Sequence, residues 1–238
     1  MPPLDLVELE GRIDFRFNDR GLGEVALTHR SYLNEAPEQD GEHNERLEFL
    51  GDAVLELVVT EYLFHRYPDK QEGELTNWRS AIVRGEVLSQ AGGDIDLGRF
   101  LKMSRGEEQS GGRDRQVLIA NTFEAVIGAI YVDQGYGAAK KFIDQFLLPR
   151  LDEIINQNLH IDSKSHLQEL TQERLGVTPN YRVVKEDGPD HDKQFTVAVF
   201  IKDQEIASGQ GPSKQRAEQA TAANALSNQD WLEKPPYP

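Results

Sequence analysis

Apolar residues recur at helical spacing through most of the first 155 residues. The spacing is clearest in four stretches: 44–66, 74–92, 117–134 and 137–155. Strand-like alternation is scarce here, which favours helices. Pro68 is expected to end the first long helix, and the polar, glycine-rich run at 104–115 is expected to be a connection. The pattern therefore predicts an all-α domain over residues 1–155.

The pattern changes after a short polar segment at 156–162, which we interpret as a linker. Helical spacing returns near 163–176 and 213–226, and three strand candidates lie between these helices: 179–188, 193–202 and 204–211. The order α-β-β-β-α predicts a small α+β domain over residues 163–230, with an antiparallel sheet and both helices on one face. Residues 231–238 are expected to form a disordered tail.

The composition is that of a folded protein without disulfides. Of the 238 residues, 38% are hydrophobic and 28% are charged, and we expect no membrane-spanning segment. Because there is no cysteine, a bound metal must have oxygen or imidazole ligands. The lack of cysteine also fits a reducing cytoplasm, and the N-terminal MPPLDLVELEGRIDF resembles no secretory signal. These features predict a cytoplasmic protein with no membrane partner.

The net charge of -15 is unevenly distributed along the chain. There are 17 basic and 29 acidic residues up to residue 155, against 9 and 12 after it. Nucleic-acid binding requires a local excess of Lys and Arg, so the overall charge argues against it at first. A catalytic domain that uses acids to bind metal, followed by a less acidic module that captures a polynucleotide, reconciles the two observations.

The first long helix carries a stripe of acids within the apolar sequence NERLEFLGDAVLEL at 44–57. Four acids fall on one side of the helix, within an arc of roughly 80°: Glu45, Glu48, Asp52 and Glu56. The opposite side is expected to pack into the core: Leu47, Leu50, Ala53, Val54, Leu57 and Val58. Like charges at these spacings are unfavourable unless they are neutralised. The stripe is solvated, or it is paired with arginines such as Arg79 or Arg84, or it binds a divalent cation such as Mg²⁺.

A second helix, predicted at 117–133, is apolar on nearly all sides and is therefore expected to be buried. Asn121 and Glu124 interrupt it on one face, and Gly128 follows one turn later. A charged glutamate is costly to bury unless it is paired or bound to metal. A buried salt bridge explains Glu124 alone, whereas a metal site shared by the two helices explains both acidic patterns.

These motifs resemble those of the ribonuclease III family. The sequence ERLEFLGDA at 45–53 matches the family signature almost completely. The other matching segments are LTHRSY at 27–32, EG at 72–73, GEEQSGG at 106–112 and TFEAVIGA at 122–129, followed by a double-stranded-RNA-binding domain. The resemblance implies an endoribonuclease that hydrolyses double-stranded RNA with Mg²⁺, or with Mn²⁺ as a substitute, and leaves 5′-phosphate and 3′-hydroxyl ends. It also implies processing of ribosomal RNA precursors and structured messenger RNA.

The same motifs assign the family's catalytic positions. Glu48 and Asp52 match the two signature acids, and Glu124 matches the essential glutamate of the second helix. Asn121 stands where the family most often has aspartate; its amide oxygen can coordinate Mg²⁺, with one negative charge fewer. The resemblance thus implies that Glu48, Asn121 and Glu124 bind the metal, and that Asp52 and Glu124 are catalytic.

Two further acids, Glu45 and Glu72, match recurrent acids near the family's site, and the resemblance implies that they are supporting residues or RNA contacts. Glu56 is assigned to solvent. Phe49 lies next to the acidic stripe on the helical wheel, away from the other apolar residues. The resemblance implies that Phe49 fills a pocket in the second subunit of a homodimer; local packing is the alternative. A two-fold dimer also suits a duplex, whose strands are related by symmetry.

RNA contacts in the second domain are assigned by the resemblance as well. Gln168 and Glu169 match positions that meet a minor groove, and His191 belongs to a GPDH loop that resembles the one reaching a second minor groove. Ser213 and Lys214, at the start of the last helix, are expected to face phosphates. The alternative for this small domain is a protein-interaction module.

Two departures from the family pattern keep other functions open. Asn121 motivates an RNA-binding regulator that has kept the fold and lost cleavage. Gln215 stands where the family commonly has a second basic residue after Lys214, which predicts weaker RNA binding. A metal-dependent phosphatase acting on small molecules is a third hypothesis, but it leaves the second domain unexplained.

Overall fold

The computed structural model describes residues 5–35, 41–156, 163–189, 193–228 and 230–233. The chain divides into two compact units between residues 160 and 161. Most of the predicted linker, residues 157–162, lies outside the described residues.

The first unit is helical, as the apolar spacing predicts. Its α-helices are α1 (Leu6–Ile13), α2 (Arg20–Ala26), α3 (Arg30–Leu33), α4 (Glu45–Arg66), α5 (Glu72–Ile82), α6 (Gly85–Asp94), α7 (Arg105–Gln109), α8 (Gln116–Gln134), α9 (Tyr136–Phe146) and α10 (Leu151–Asn156). Short 3₁₀ helices lie at Leu97–Arg99, Gly112–Asp114 and Leu148–Arg150.

The central helix of this unit is α8. It has nine buried residues, including Phe123, Val126 and Ile130, because it is apolar on nearly all sides. Among the described helices, α8 is the one long and apolar enough to cross a membrane, and half of that stretch is buried inside the unit. Its packing is that of a core helix, as the sequence predicts.

Two of the predicted long helices are each divided in the structure. The stretch 74–92 forms α5 and α6, because Arg84 between them adopts an extended backbone with ψ 141°. The stretch 137–155 forms α9 and α10, separated by a 3₁₀ helix that contains Pro149. Proline cannot donate the backbone hydrogen bond that would continue α9. The run at 104–115 is also more regular than predicted, since it contains α7 and a 3₁₀ helix.

The buried face of α4 is rotated by roughly a quarter turn from the predicted one. Val54 and Val58 are buried as predicted, but Leu55 is buried too, whereas Ala53 and Leu57 are exposed. The helix has more apolar residues than its contact with the core can cover. The sequence does not reveal which part of this wide apolar surface stays bare.

The second unit has the predicted order α-β-β-β-α, followed by a short extra helix. Its elements are α11 (Ser163–Leu175), β1 (Asn180–Asp187), β2 (Gln194–Ile201), β3 (Gln204–Gly211), α12 (Lys214–Ser227) and α13 (Asp230–Glu233). The strands are antiparallel in the order β1-β2-β3. Both helices of the predicted pattern lie on one face, because Leu167 of α11 and Ala222 of α12 pack in one cluster with Val199 of β2.

Two glycines bring α12 close to the sheet. A Cβ built on Gly209 of β3 would lie 2.5 Å from the backbone nitrogen of Thr221, and one on Gly211 would lie 2.6 Å from the backbone nitrogen of Ala217. Real Cβ atoms do not approach this closely, so the strand and the helix touch through their main chains.

The prediction of a disordered tail is wrong at its beginning. Trp231 of α13 is 6% exposed and packs in the same apolar cluster as Leu167 and Ala225. Its indole N–H donates to the carbonyl oxygen of Ala225 at 2.8 Å. The second unit therefore continues past residue 230, because an indole ring provides enough apolar surface to hold a four-residue helix on the core. Residues 234–238 lie outside the described part of the chain.

Candidate active site

Helices α4 and α8 cross at two glycines, Gly51 and Gly128. A Cβ built on Gly51 would collide with the backbone oxygen of Glu124 and would lie 2.9 Å from the backbone nitrogen of Gly128. A Cβ on Gly128 would collide with the backbone oxygen of Leu47. The main chains of the two helices therefore touch at this point, because neither glycine has a side chain. This crossing determines how far apart the acids of the two helices lie.

Three carboxylates gather beside the crossing: Glu48 and Asp52 from α4, and Glu124 from α8. Glu48 and Glu124 are half-buried, and Asp52 is exposed. Burial, followed by the negative charges of Asp52 and Glu48, raises the pKa of Glu124 to about 7. The side chains are thus close enough for the charges of Asp52 and Glu48 to disfavour the ionised form of Glu124.

Asn121 lies one turn before Glu124 on α8. Burial and the charge of Glu45 raise the pKa of Glu48, whereas a hydrogen bond with the Asn121 side chain opposes that rise. The Asn121 amide N–H donates to the carboxylate in this interaction, since an ionised carboxylate only accepts. Asn121 therefore belongs to the same cluster as the three acids. Its hydrogen bond to Glu48 offsets part of the repulsion between their charges.

The charge and the donor types at this site suit a hard divalent cation. Carboxylate and amide oxygens are the ligands that Mg²⁺ prefers. Within the described residues, neither Lys nor Arg forms an ion pair with Glu48, Asp52 or Glu124, so a buried salt bridge does not account for Glu124. No three Asp, Glu or His side chains of the described part already enclose a metal position.

Of the two arginines considered as partners of the acidic stripe, Arg79 has a different hydrogen-bond partner in the described part of the structure. Arg79 donates to the hydroxyl of Thr60 at 3.0 Å. Glu45 instead has two basic neighbours from the preceding segments, Arg30 at 3.4 Å and Nδ1 of His43 at 3.9 Å. Glu56 is exposed. Glu45 therefore lies at the edge of the site, with part of its charge neutralised.

Glu72 is not brought to the other acids within one chain. It begins α5, whereas Glu48 lies near the start of α4, which continues for 18 residues past Glu48, about 27 Å along the helix axis. Its carboxylate accepts a hydrogen bond from Thr76 Oγ1 at 3.0 Å. Glu72 is also absent from the charges that shift the pKa of Glu48 and Glu124.

Phe49 projects from α4 into solvent, with 81% of its surface exposed. Leu57 is 57% exposed and Phe64 is 65% exposed on the same side of the helix, and Ala53 lies between them. This exposed apolar strip runs beside the acidic stripe. Local packing within the described part of the chain does not explain Phe49, since most of its ring surface meets no other group.

Sequence reasoning missed the ordered loop at 104–115, which lies between the 3₁₀ helix at Leu97–Arg99 and α8. The Arg113 guanidinium donates to the carbonyl oxygen of Gly98 at 3.0 Å and to the carboxylate of Glu108 at 2.8 Å. Arg115 pairs with Glu107. The alternation of acids and arginines in GEEQSGGRDR was the available signal, because such pairs can fold a polar loop onto itself.

The proposed RNA contacts of the second unit lie on its surface. Gln168 and Glu169 are exposed on α11. Ser213 caps α12, and its side chain accepts a hydrogen bond from the backbone nitrogen of Arg216 at 3.2 Å. Lys214, in the first turn of α12, is exposed. His191 lies outside the described residues.

Comparisons with known proteins assign both units. A Ribonuclease-III-like family model matches residues 19–151, and a double-stranded RNA binding motif matches residues 163–229. The chain belongs to the ribonuclease III family. It is similar to the Ribonuclease 3 of Roseiflexus sp. strain RS-1, with 44% identity covering 92% of this chain and 93% of the relative. The Ribonuclease 3 of Syntrophobacter fumaroxidans is 44% identical, covering 95% of this chain and 96% of the relative.

A solved ribonuclease III structure has the same helical fold. The nuclease domain from Campylobacter jejuni is 38% identical, with a TM-score of 0.55, and the match covers 66% of this chain and all of that domain. That structure is described as flexible in a region involved in dimer formation. The present chain is accordingly an endoribonuclease, a hydrolase that consists of a ribonuclease III nuclease domain and a double-stranded-RNA-binding domain.

Proposed function

We propose that this ribonuclease III hydrolyses phosphodiester bonds of double-stranded RNA with Mg²⁺ and leaves 5′-phosphate and 3′-hydroxyl ends. Its substrates in this proposal are ribosomal RNA precursors and structured messenger RNA in the cytoplasm. The main support is the crossing of α4 and α8, which gathers Glu48, Asp52 and Glu124 while no cation of the described residues pairs with them.

Glu48, Asn121 and Glu124 are the residues that would hold the ion, with Mn²⁺ as a substitute for Mg²⁺. Their oxygen donors come from two helices whose spacing is fixed by main-chain contact. When bound, the ion supplies positive charge that stabilises the attacking and leaving oxygens and activates water. One amide in place of a carboxylate leaves the ligand set with a lower negative charge, so we expect weaker binding of Mg²⁺.

The remaining chemistry is assigned to side chains of this protein. Asp52 is exposed, so it can accept a hydrogen bond from the attacking water and orient it towards phosphorus. Glu124 must lose its proton before its carboxylate can act, and a pKa of about 7 places that loss near neutral pH. Glu45 remains a supporting residue at the edge, because Arg30 already offsets part of its charge.

We further propose that two copies of the chain form a homodimer through the exposed apolar strip of α4. Phe49, Leu57 and Phe64 are large apolar side chains that lie in solvent in a single chain. Burying them in a partner would remove a surface that monomers rarely leave bare. A two-fold pair would provide one site for each strand of a duplex. Glu72, which is remote from the site of its own chain, keeps its proposed supporting role only in such a pair.

Cleavage of a labelled RNA duplex tests the proposal. With Mg²⁺ the protein should produce fragments that accept a new 5′ label only after phosphatase treatment, and EDTA should abolish them. Glu124→Ala should stop cleavage and leave duplex retention near normal. Glu56→Ala removes an exposed acid of the same stripe and should cut at the wild-type rate. Retention without fragments in Mg²⁺ would instead support a non-cleaving RNA-binding regulator, the alternative that Asn121 motivates.

A further inference from the structure

Glu186, near the end of β1, is shared by two lysines. Its Oε1 lies 3.5 Å from Nζ of Lys214, and its Oε2 lies 3.6 Å from Nζ of Lys193. The lysines come from different elements, since Lys214 begins α12 and Lys193 directly precedes β2. One carboxylate therefore draws together two cations that the chain order separates.

This cluster occupies the end of the sheet where α12 starts. Glu186 is paired with Phe195 in the register of β1 and β2, and Nζ of Lys214 lies 5.6 Å from the centroid of the Phe195 ring. The backbone N–H groups at the start of α12 add partial positive charge at this point. The two lysines and the start of α12 thus suit a phosphate, whereas the Glu186 carboxylate between the lysines opposes it.

The ion pairs are exposed enough for an incoming anion to displace them. The side chains of Lys214 and Glu186 are 60% and 42% exposed. Pairs of this exposure and length are weak, because water solvates both partners. A phosphate brings more negative charge and several acceptor oxygens, so it can replace the carboxylate as the partner of either lysine.

We propose that Glu186 competes with RNA phosphate for Lys193 and Lys214, and so keeps the duplex affinity of this domain below what its lysines alone would give. This inference rests on the proposed capture of double-stranded RNA by the second unit. Once displaced, the carboxylate stays within the Debye length of the bound phosphate, about 10 Å at 0.1 M salt, and repels it. It must also recruit a cation from solution, which reduces the net release of ions on binding.

Duplex binding by the full chain, measured in EDTA so that no cleavage intervenes, tests this inference. Glu186→Gln should bind a labelled RNA duplex about threefold more tightly at 0.1 M salt, with a steeper dependence of affinity on salt. Glu205→Gln is the matched control: it makes the same charge change beside Phe200, at the other end of β2. That variant should bind as the wild type does. In a Lys193→Gln, Lys214→Gln background, Glu186→Gln should gain less than it does in the wild type, because only the direct repulsion of phosphate is then removed.

The outcomes separate this inference from the proposed function. If the wild-type chain retains no duplex, the capture of double-stranded RNA fails, and the inference fails with it. If the wild type binds and Glu186→Gln binds equally or more weakly, Glu186 orders the lysines or is inert, and only the inference is overturned. An equal gain in Glu205→Gln would also overturn it, because net charge alone would then explain the change. Thermal unfolding checks that each variant is folded.

Discussion

The backbones of Gly51 and Gly128 meet where α4 crosses α8, with the position of a Cβ on Gly51 only 2.9 Å from the backbone nitrogen of Gly128. Gly51 directly precedes Asp52, and Gly128 lies one turn after Glu124. The separation of the two backbones that carry the acids is therefore set by main-chain contact.

Gly51→Ala is expected to lower the free energy of unfolding by about 2–4 kcal/mol, because the methyl group forces the helices apart. Cleavage should fall more than stability alone explains, since the acids of the two helices separate. Gly11→Ala is the control, because a Cβ on Gly11 in α1 meets nothing within 4 Å. Urea unfolding measures both variants. An unchanged midpoint for Gly51→Ala would show that the crossing tolerates a side chain.

The raised pKa of Glu124 predicts a pH dependence of stability in the metal-free protein. The folded state holds this proton up to about pH 7, whereas an unfolded glutamate releases it near 4.3. The stabilisation that comes from the tighter binding of this proton in the folded state is therefore complete below about pH 4, and it is lost as the pH rises through 7. Between pH 5 and 8, the free energy of unfolding of Glu124→Gln should rise by about 2 kcal/mol relative to that of the wild type.

Urea unfolding in EDTA at several pH values measures that gain. Mg²⁺ should stabilise the wild type at pH 8 more than it stabilises Glu124→Gln, because the ion favours the ionised carboxylate. Glu56→Gln, which changes an exposed acid of the same stripe, should follow the wild type at every pH. A difference between wild type and Glu124→Gln that stays constant with pH would contradict a raised pKa.

Asn121→Asp is expected to lower the Mg²⁺ concentration for half-maximal cleavage by up to about tenfold, since it adds a negative ligand. Without metal the same change should reduce stability, because it replaces a hydrogen-bond donor to Glu48 with a like charge. Asn121→Ala removes the amide oxygen that would bind the ion and the N–H that donates to Glu48. It should raise the Mg²⁺ concentration needed for half-maximal cleavage. Cleavage assays over a range of Mg²⁺ concentrations, with calorimetry of ion binding, measure the effect. Identical ion requirements in all three proteins would remove Asn121 from the ligand set.

Phe49→Ala is expected to weaken the proposed dimer by roughly tenfold or more, because a large aromatic side chain that becomes buried in an interface contributes much of the binding energy. The subunit itself should stay folded, since the side chain is 81% exposed. Val132→Ala, an exposed apolar change on α8, should leave association unaffected. Sedimentation equilibrium gives the dissociation constants. A wild type that remains monomeric at high concentration would rule out the dimer.

Trp231→Ala is expected to destabilise the second unit by about 3 kcal/mol, through a cavity and the loss of a hydrogen bond. Trp231→Phe keeps most of the ring but not the N–H that donates to Ala225, and it should lose about 1 kcal/mol. Urea unfolding followed by circular dichroism compares the two variants with the wild type, because both variants lack the indole whose fluorescence would report on the second unit. Equal stabilities of Trp231→Ala and the wild type would indicate that α13 contributes nothing to the domain.

The sequence predicted those features that depend on local periodicity. The spacing of Glu48 and Asp52, and of Asn121 and Glu124, placed each pair on one helical face before any tertiary information was available. The α-β-β-β-α order followed from alternation and turn residues in the same way. A metal site shared by the two helices was a hypothesis from their oxygen ligands, and the family resemblance strengthened it, because periodicity within one helix says nothing about its partner.

The features that escaped prediction depend on contacts between elements. Leu57 counts as a core residue by spacing, yet it is exposed because α8 covers a different part of α4. Trp231 precedes a polar, proline-rich segment, so the composition predicted disorder. Its ring is nevertheless buried next to Ala225. The roles of Gly51 and Gly128 were also hidden, since a glycine within a helix signals only lower helix propensity until its neighbour is known.

The close contact of α12 with β3 at Gly209 and Gly211 affects how the RNA affinity of this protein can change during evolution. Because the peptide backbone itself fixes the height of that helix above the sheet, substitutions on its outer side leave the path of the chain unaltered. An exchange between a cation and an amide at the exposed position 215 is therefore expected to change the affinity for a duplex without moving the helix.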